Sequence, residues 1–155
     1  MPKLLFFIPC ERAIINEEDK ILTCVAILER LNVQPQPNIP IPDDAAIPLN
    51  WVAVAMWRAA DGDIGKTFEQ RLQIIRPSKK QGLDAIIPFE MNGIAQRSVM
   101  KIEGFVISEP GDSILKLSIR ESGENNKWRV AGSYPIIVTH LPPSAEGQSD
   151  TVLAT

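Results

Sequence analysis

Histidine and cysteine are nearly missing from this chain: His140 stands alone, and Cys10 and Cys24 are the only thiols. That inventory is too thin for a structural or catalytic zinc site, which gathers several closely spaced nitrogen and sulfur ligands. It is equally thin for the disulfide framework of a small secreted domain. The plain reading of Cys10 and Cys24 is two small apolar side chains, with a contact across neighbouring strands as the alternative. Long apolar runs are missing too. Leu4-Leu5-Phe6-Phe7-Ile8 after Lys3 imitates a signal core but is shorter than one and lacks a small-residue cleavage site. No stretch approaches the ~20 apolar residues of a membrane span. Nor is charge of one sign in excess: 19 acidic and 16 basic residues leave a net charge of −3. Such a surface offers no basic footprint to nucleic acid or to an anionic membrane. These absences lead us to expect a cytoplasmic protein with neither of those partners.

What is abundant is proline, with 13 residues in 155, above the usual ~5%. Pro35, Pro37, Pro40, Pro42 and Pro48 fall between Gln34 and Pro48, where they forbid a helix and a central strand and mark an extended crossover. Elsewhere the chain alternates. Phe68, Gln70, Leu72 and Ile74 share one parity while Glu69, Arg71 and Gln73 take the other, and Leu115, Leu117 and Ile119 alternate with Lys116, Ser118 and Arg120. This is the period of strands with one wet face. Trp51 to Arg58 is apolar on both parities and reads as a strand covered on both faces. Its link to Thr67–Arg76 through Asp61-Gly62-Asp63-Ile64-Gly65 reads as a hairpin. Ala85 to Met91, interrupted by Pro88, suits a sheet edge. Lys127 to His140 points Trp128, Val130, Ile136 and Val138 inward, with a bulge or bend at Gly132 and Pro135. Ile21 to Val33 alternates as a strand, yet Ile21, Val25, Leu28 and Leu31 also fit helical spacing, and both readings stand. The pattern predicts an all-β fold, an antiparallel sandwich of about seven or eight strands with little helix. A single domain spans 1–140, and a flexible tail follows over 141–155.

Chemistry-bearing motifs fail in detail. Gly65-Lys66-Thr67 imitates the end of a phosphate-binding loop, but the early glycine is missing, Asp61 and Asp63 would repel phosphate, and a strand follows where a helix is needed. The same loop lacks the sixth-position glycine and twelfth-position glutamate of a calcium loop, since Lys66 and Leu72 stand there. His140 has no accompanying nucleophile signature. Glu17-Glu18 and Asp43-Asp44 read as solvated loop carboxylates. No catalytic residue, metal or cofactor is expected.

Three stretches carry a resemblance: Pro9-Cys10-Glu11-Arg12-Ala13; Thr23 to Leu31, ending in Ile27-Leu28-Glu29-Arg30-Leu31; and the Gly-rich turn into Thr67–Pro77. In their order the chain resembles a bacterial family of small, uncharacterised β-sandwich proteins. The resemblance covers roughly residues 3 to 140 and implies an immunoglobulin-like sandwich and a bacterial cytoplasmic setting. It implies no activity. The Cys…Trp…Cys spacing of antibody domains is missing here.

Function is then expected to be non-enzymatic: a binding or scaffold module that meets a protein partner, or a second copy as a homo-dimer, through a sheet edge or loops. The alternative is a small-ligand binder, for a carbohydrate or metabolite, that stacks it on Trp51, Trp57 or Trp128. For the first reading the candidate edge is Leu4, Leu5, Phe6, Phe7 and Ile8. This stretch has neither a charge nor a proline to blunt pairing with another chain.

Overall fold

The structure, a computed structural model, describes residues 1–123 and 125–143. Most of the expected tail, from 144 onward, therefore lies outside the described residues. Nine strands and no helix are found among the described residues: β1 (Lys3–Ile15), β2 (Leu22–Ile27), β3 (Arg30–Val33), β4 (Ala46–Arg58), β5 (Thr67–Ile75), β6 (Gln81–Glu90), β7 (Ala95–Val106), β8 (Gly111–Glu121) and β9 (Arg129–His140). They form two sheets. Sheet I has the order β2-β1-β4-β7 and sheet II the order β3-β9-β8-β5-β6. All ladders are antiparallel except β3 with β9, which is parallel.

The expectation of seven or eight strands falls short because Ile21–Val33 is neither one strand nor a helix. It breaks at Leu28-Glu29, where Leu28 packs against the core and the Ile137 N–H bonds to Glu29 O at 3.0 Å. There the chain leaves sheet I as β2 and joins sheet II as β3. A second correction concerns Trp51–Arg76, which is not a hairpin: β4 lies in sheet I and β5 in sheet II. The linking turn is an arch between sheets, pinned by Asp63. Asp63 Oδ2 accepts the Ala60 N–H at 2.8 Å, and its Oδ1 meets the Met1 ammonium at 2.9 Å. Because each run buries an apolar face against the opposite sheet, the two take ladder partners from elsewhere.

Between the sheets lies a core of Phe7, Trp51, Trp57, Phe68, Leu72, Phe105, Leu115, Leu117, Ile136 and their neighbours. Gln70 sits within it fully buried and links the sheets, accepting Trp57 Nε1–H at 3.2 Å on Oε1 and donating its amide to Ser98 Oγ. The paired indole satisfies a buried donor that would otherwise cost about 1–3 kcal/mol.

Prolines fall where strands tolerate them. Pro88 is on β6, the outermost strand of sheet II, as expected. Pro48 lies inside β4, not before it, at the register shift between Ile47 and Asn50. In β9 the register shifts between the Leu117–Gly132 and Ser118–Val130 pairs, so the expected bulge is present. The bulge also reverses the expected orientation upstream: Ile136 and Val138 are buried, but Val130 is 64% exposed.

Candidate interaction edge

The expected edge, Leu4 to Ile8, is not the end of its sheet, since β1 stands between β2 and β4. Its ladder to β2 nevertheless begins only at Cys10, so Lys3 to Pro9 has β4 on one side and no strand of its own sheet on the other. The five residues divide. Leu4 and Phe7 pack into the core; Phe6 and Ile8, opposite Met56 and Val54, face the outside of sheet I; Leu5 sits exposed at a register shift.

The terminal strand of sheet I is β2, and it is held away from the sheet plane. The guanidinium Nη2 of Arg97 donates to Lys20 O at 3.1 Å. Arg97 is level with Met56 and through it with Phe6, whereas Lys20 lies in the turn beyond Ile15. In a flat sheet that offset would be about 30 Å, at ~3.3 Å per residue. Beyond Cys10 the β1–β2 hairpin therefore curls back over the outer face of sheet I as an arm. This accounts for Val54, which is fully buried yet no part of the core between the sheets.

The curl has a local cause in the backbone. Leu28 N–H donates to Pro9 O at one end of the hairpin and Asn16 N–H to Ile21 O at the other, and these bonds belong to opposite ladder parities. The change falls where Ala26 adopts φ 55°, a left-handed conformation that twists a strand. Past that point Ala13, Leu22 and Cys24 are half-buried while Arg12, Ile14 and Thr23 are exposed. Cys24 then faces Cys10. Burial, and next the neighbouring Cys24, push the Cys10 thiol up to about 11. Both cysteines are free.

On its far side β2 has no ladder partner among the described residues. Its sequence, Leu22-Thr23-Cys24-Val25-Ala26-Ile27, holds no charge and no proline, and exposed Ile14, Ile15, Ile21 and Ile27 surround it. The remaining edges are blunted in the usual ways. β3 is four residues long, β6 carries Pro88, and β7 carries Arg97, Lys101 and Glu103 with a left-handed Gly104 at φ 78°. Composition does not separate Leu4–Ile8 from Leu22–Ile27: both are free of charge and proline, and both have an open side, the first in the part of β1 that precedes its ladder with β2 and the second in the terminal strand.

Other singled-out residues are placed plainly. Trp51 and Trp57 are core residues, their indole N–H groups spent on Gly104 O and Gln70. Trp128 is half-buried on the outer face of sheet II, its ring 4.4 Å from the Arg120 and 5.8 Å from the Arg71 guanidinium carbon. His140 Nε2 lies 2.7 Å from Ile107 O, tying the end of β9 to the end of β7. Gly65 and Lys66 spend their N–H groups on Met91 O and Asp63 O, and Lys66 reaches Glu121 at 3.2 Å. No group of three or more potential metal ligands occurs among the described residues. No helix among them is long and apolar enough to cross a membrane. No family model matches the chain, and no curated protein matches it.

Proposed function

We propose that this chain is a non-enzymatic protein-binding module that takes up an extended segment of a partner protein, or of a second copy, along β2. The observation that carries this is the unguarded β2 edge: a terminal strand without charge or proline, surrounded by exposed isoleucines. Strand addition to such an edge draws affinity from main-chain hydrogen bonds and specificity from alternate side chains. An immunoglobulin-like reading is supported by neighbours: β4 beside β7 and β5-β8-β9 in sequence match the B–E and C–F–G adjacencies of that sandwich. Membership in the uncharacterised bacterial family, with its cytoplasmic setting, is part of the same proposal, and two free thiols support a reducing compartment.

The Asn16–Ile21 bond sets the local parity so that the N–H of Cys24 points away from β1. Proline there removes an edge donor without breaking the hairpin's own ladder. Cells carrying the tagged full chain are cross-linked, and captured proteins are compared between native, Cys24→Ala and Cys24→Pro forms. Native and Cys24→Ala chains are expected to retain one partner, and Cys24→Pro to lose it by at least about tenfold, the worth of one or two hydrogen bonds. Retention of the same protein by Cys24→Pro sinks the proposal.

A further inference from the structure

The proline-rich crossover that carries the chain from β3 in sheet II to β4 in sheet I is tied at both ends. Before it, Leu141 N–H donates to Val33 O at 2.7 Å; after it, Arg76 Nη1 donates to Asp43 O at 2.6 Å and Ile107 N–H to Ala45 O at 2.9 Å. Between these ties run Gln34-Pro35-Gln36-Pro37-Asn38-Ile39-Pro40-Ile41-Pro42. Proline fixes its own φ, and the residue before a proline is confined to extended or polyproline conformations. Those two rules reach every residue of this run except Asn38. Asn38 is the elbow: its φ is 62°, and Ile39 N–H closes the turn on Gln36 O at 3.4 Å. The crossover is thus two short stiff pieces, 34–37 and 39–42, whose shape is set by covalent geometry more than by packing.

Its surface is unlike that of the other connections. Pro35 and Ile41 are half-buried, while Pro37, Ile39, Pro40 and Pro42 are exposed, Ile39 to 58%. The other connections of five residues or more, 16–21, 59–66, 76–80 and 122–128, all carry charge, and 34–42 carries none. Its four prolines lack an N–H, so a partner cannot read this run by strand addition as it can read β2. What the run offers is apolar rings, an isoleucine and main-chain carbonyls, held in the extended form that aromatic grooves take up at low entropic cost. Just beyond it Asp43 is engaged by Lys80 at 3.3 Å and by Arg76 at 3.6 Å. Its neighbour Asp44 is exposed and in no ion pair among the described residues.

We infer that residues 39–42 are a docking ligand for a partner protein with an aromatic-lined, proline-reading groove and a basic side chain at the end that meets Asp44. Ile39 and Pro42, three residues apart, fall on one side of a polyproline turn, with Pro40 beside them and the half-buried Ile41 turned to the body. The inference does not rest on the β2 edge, which presents main-chain donors where this run presents rings, and the two fail separately.

The test places photo-cross-linking benzoylphenylalanine at Ile39 of the full chain in cells, with Ile86, 49% exposed on β6, as the control position. One protein adduct is expected from position 39 and not from position 86, and mass spectrometry should map its attachment to a groove lined by aromatic side chains. Pro40→Ala with Pro42→Ala loosens the backbone and removes both rings, so the adduct should fall at least about tenfold. Asp44→Lys should lower it roughly threefold, the worth of an exposed ion pair. All three positions are exposed, so both variants should keep the native amide spectrum. No adduct at position 39, an adduct on a surface without aromatic side chains, or one whose yield either substitution leaves unchanged overturns the inference.

Discussion

The outer faces of the two sheets are finished in different ways. On sheet II, side chains neutralise one another: Arg71 grips Asp84 through Nε at 2.7 Å and through its Nη2, Arg120 holds Glu69, and Trp128 lies over both guanidiniums. Each pair joins neighbouring strands, and each is half-exposed to water. On sheet I the corresponding face bears Phe6, Ile8, Val52, Val54 and Met56, and the chain covers it with its own β1–β2 arm. A face closed by ion pairs needs nothing further. Covering a face with backbone moves the problem outward, because the arm has an edge of its own. The difference explains why an open terminal strand without charge or proline, β2, stands on sheet I.

Placing a carboxylate on each face should break that comparison most sharply. Val54→Asp puts a charge at a fully buried position under the arm, and is expected to cost about 3 kcal/mol or more. Loss of hydrogen-exchange protection from Cys10 to Ile27 should accompany it. Trp128→Ala, by contrast, removes a cover from two arginines that keep their carboxylates, and is expected to cost about 1 kcal/mol. Chemical denaturation of the two variants measures both. Equal losses would mean that the arm does not depend on what lies beneath it.

Acid should separate the faces by a smaller margin. Hydrogen bonding from Arg71 holds the Asp84 carboxyl below its ordinary value of 3.8, against the opposing effect of burial. A carboxyl depressed in the folded state contributes stability that is complete above its unfolded value and is lost as pH falls through the folded one. Sheet II should therefore loosen at Asp84 below about pH 3.8, and Asp84→Asn should abolish that step. The arm's contact from Arg97 is to a backbone carbonyl, which does not titrate in this range. Following the side-chain N–H signals of Arg71 and Arg97 by NMR checks this, and a simultaneous loss of both would contradict it.

Much of the fold was legible because alternation reports which face of a strand is buried. Phe68, Leu72, Ile74, Leu115, Leu117 and Ile119 all lie in the core as their parity requires, and Pro88 marked an edge. Three things were not legible, for one physical reason: alternation reports parity and says nothing of neighbours. The arch at Asp63 looks like a hairpin turn because the ladder partners of β4 and β5 are distant in sequence. A single bulged residue at Ala131–Gly132 reverses Val130 and Trp128. The left-handed Ala26 leaves no compositional trace, since alanine is not the residue that normally marks such a backbone. The candidate edge is subject to the same limit: an uncharged, proline-free stretch occurs twice, at Leu4–Ile8 and Leu22–Ile27, and only the ladder order shows that the second is the terminal strand.

The smallest effect is the most local, and it reads the arm directly. Cys10 is fully buried with its thiol pushed up to about 11, first by burial and then by Cys24, whereas Cys24 is only half-buried. The nucleophile is the thiolate, and at pH 8 a thiol of that acidity is ionised roughly one part in a thousand. A disulfide reagent should therefore modify Cys24 first, and Cys10 only when the arm lifts. A contact that holds the arm's tip down is the hydrogen bond from Arg97 to Lys20 O. Arg97→Ala should speed modification of Cys10 by roughly tenfold, the worth of one hydrogen bond from a charged donor, and should leave the Cys24 rate nearly unchanged. Arg71→Ala, the matching truncation on sheet II, should move neither rate. Stopped-flow thiol counting with mass spectrometry to assign the sites decides it. If both thiols react together in the native chain, the arm is not closed over Cys10, and the contrast between the two faces fails at its foundation.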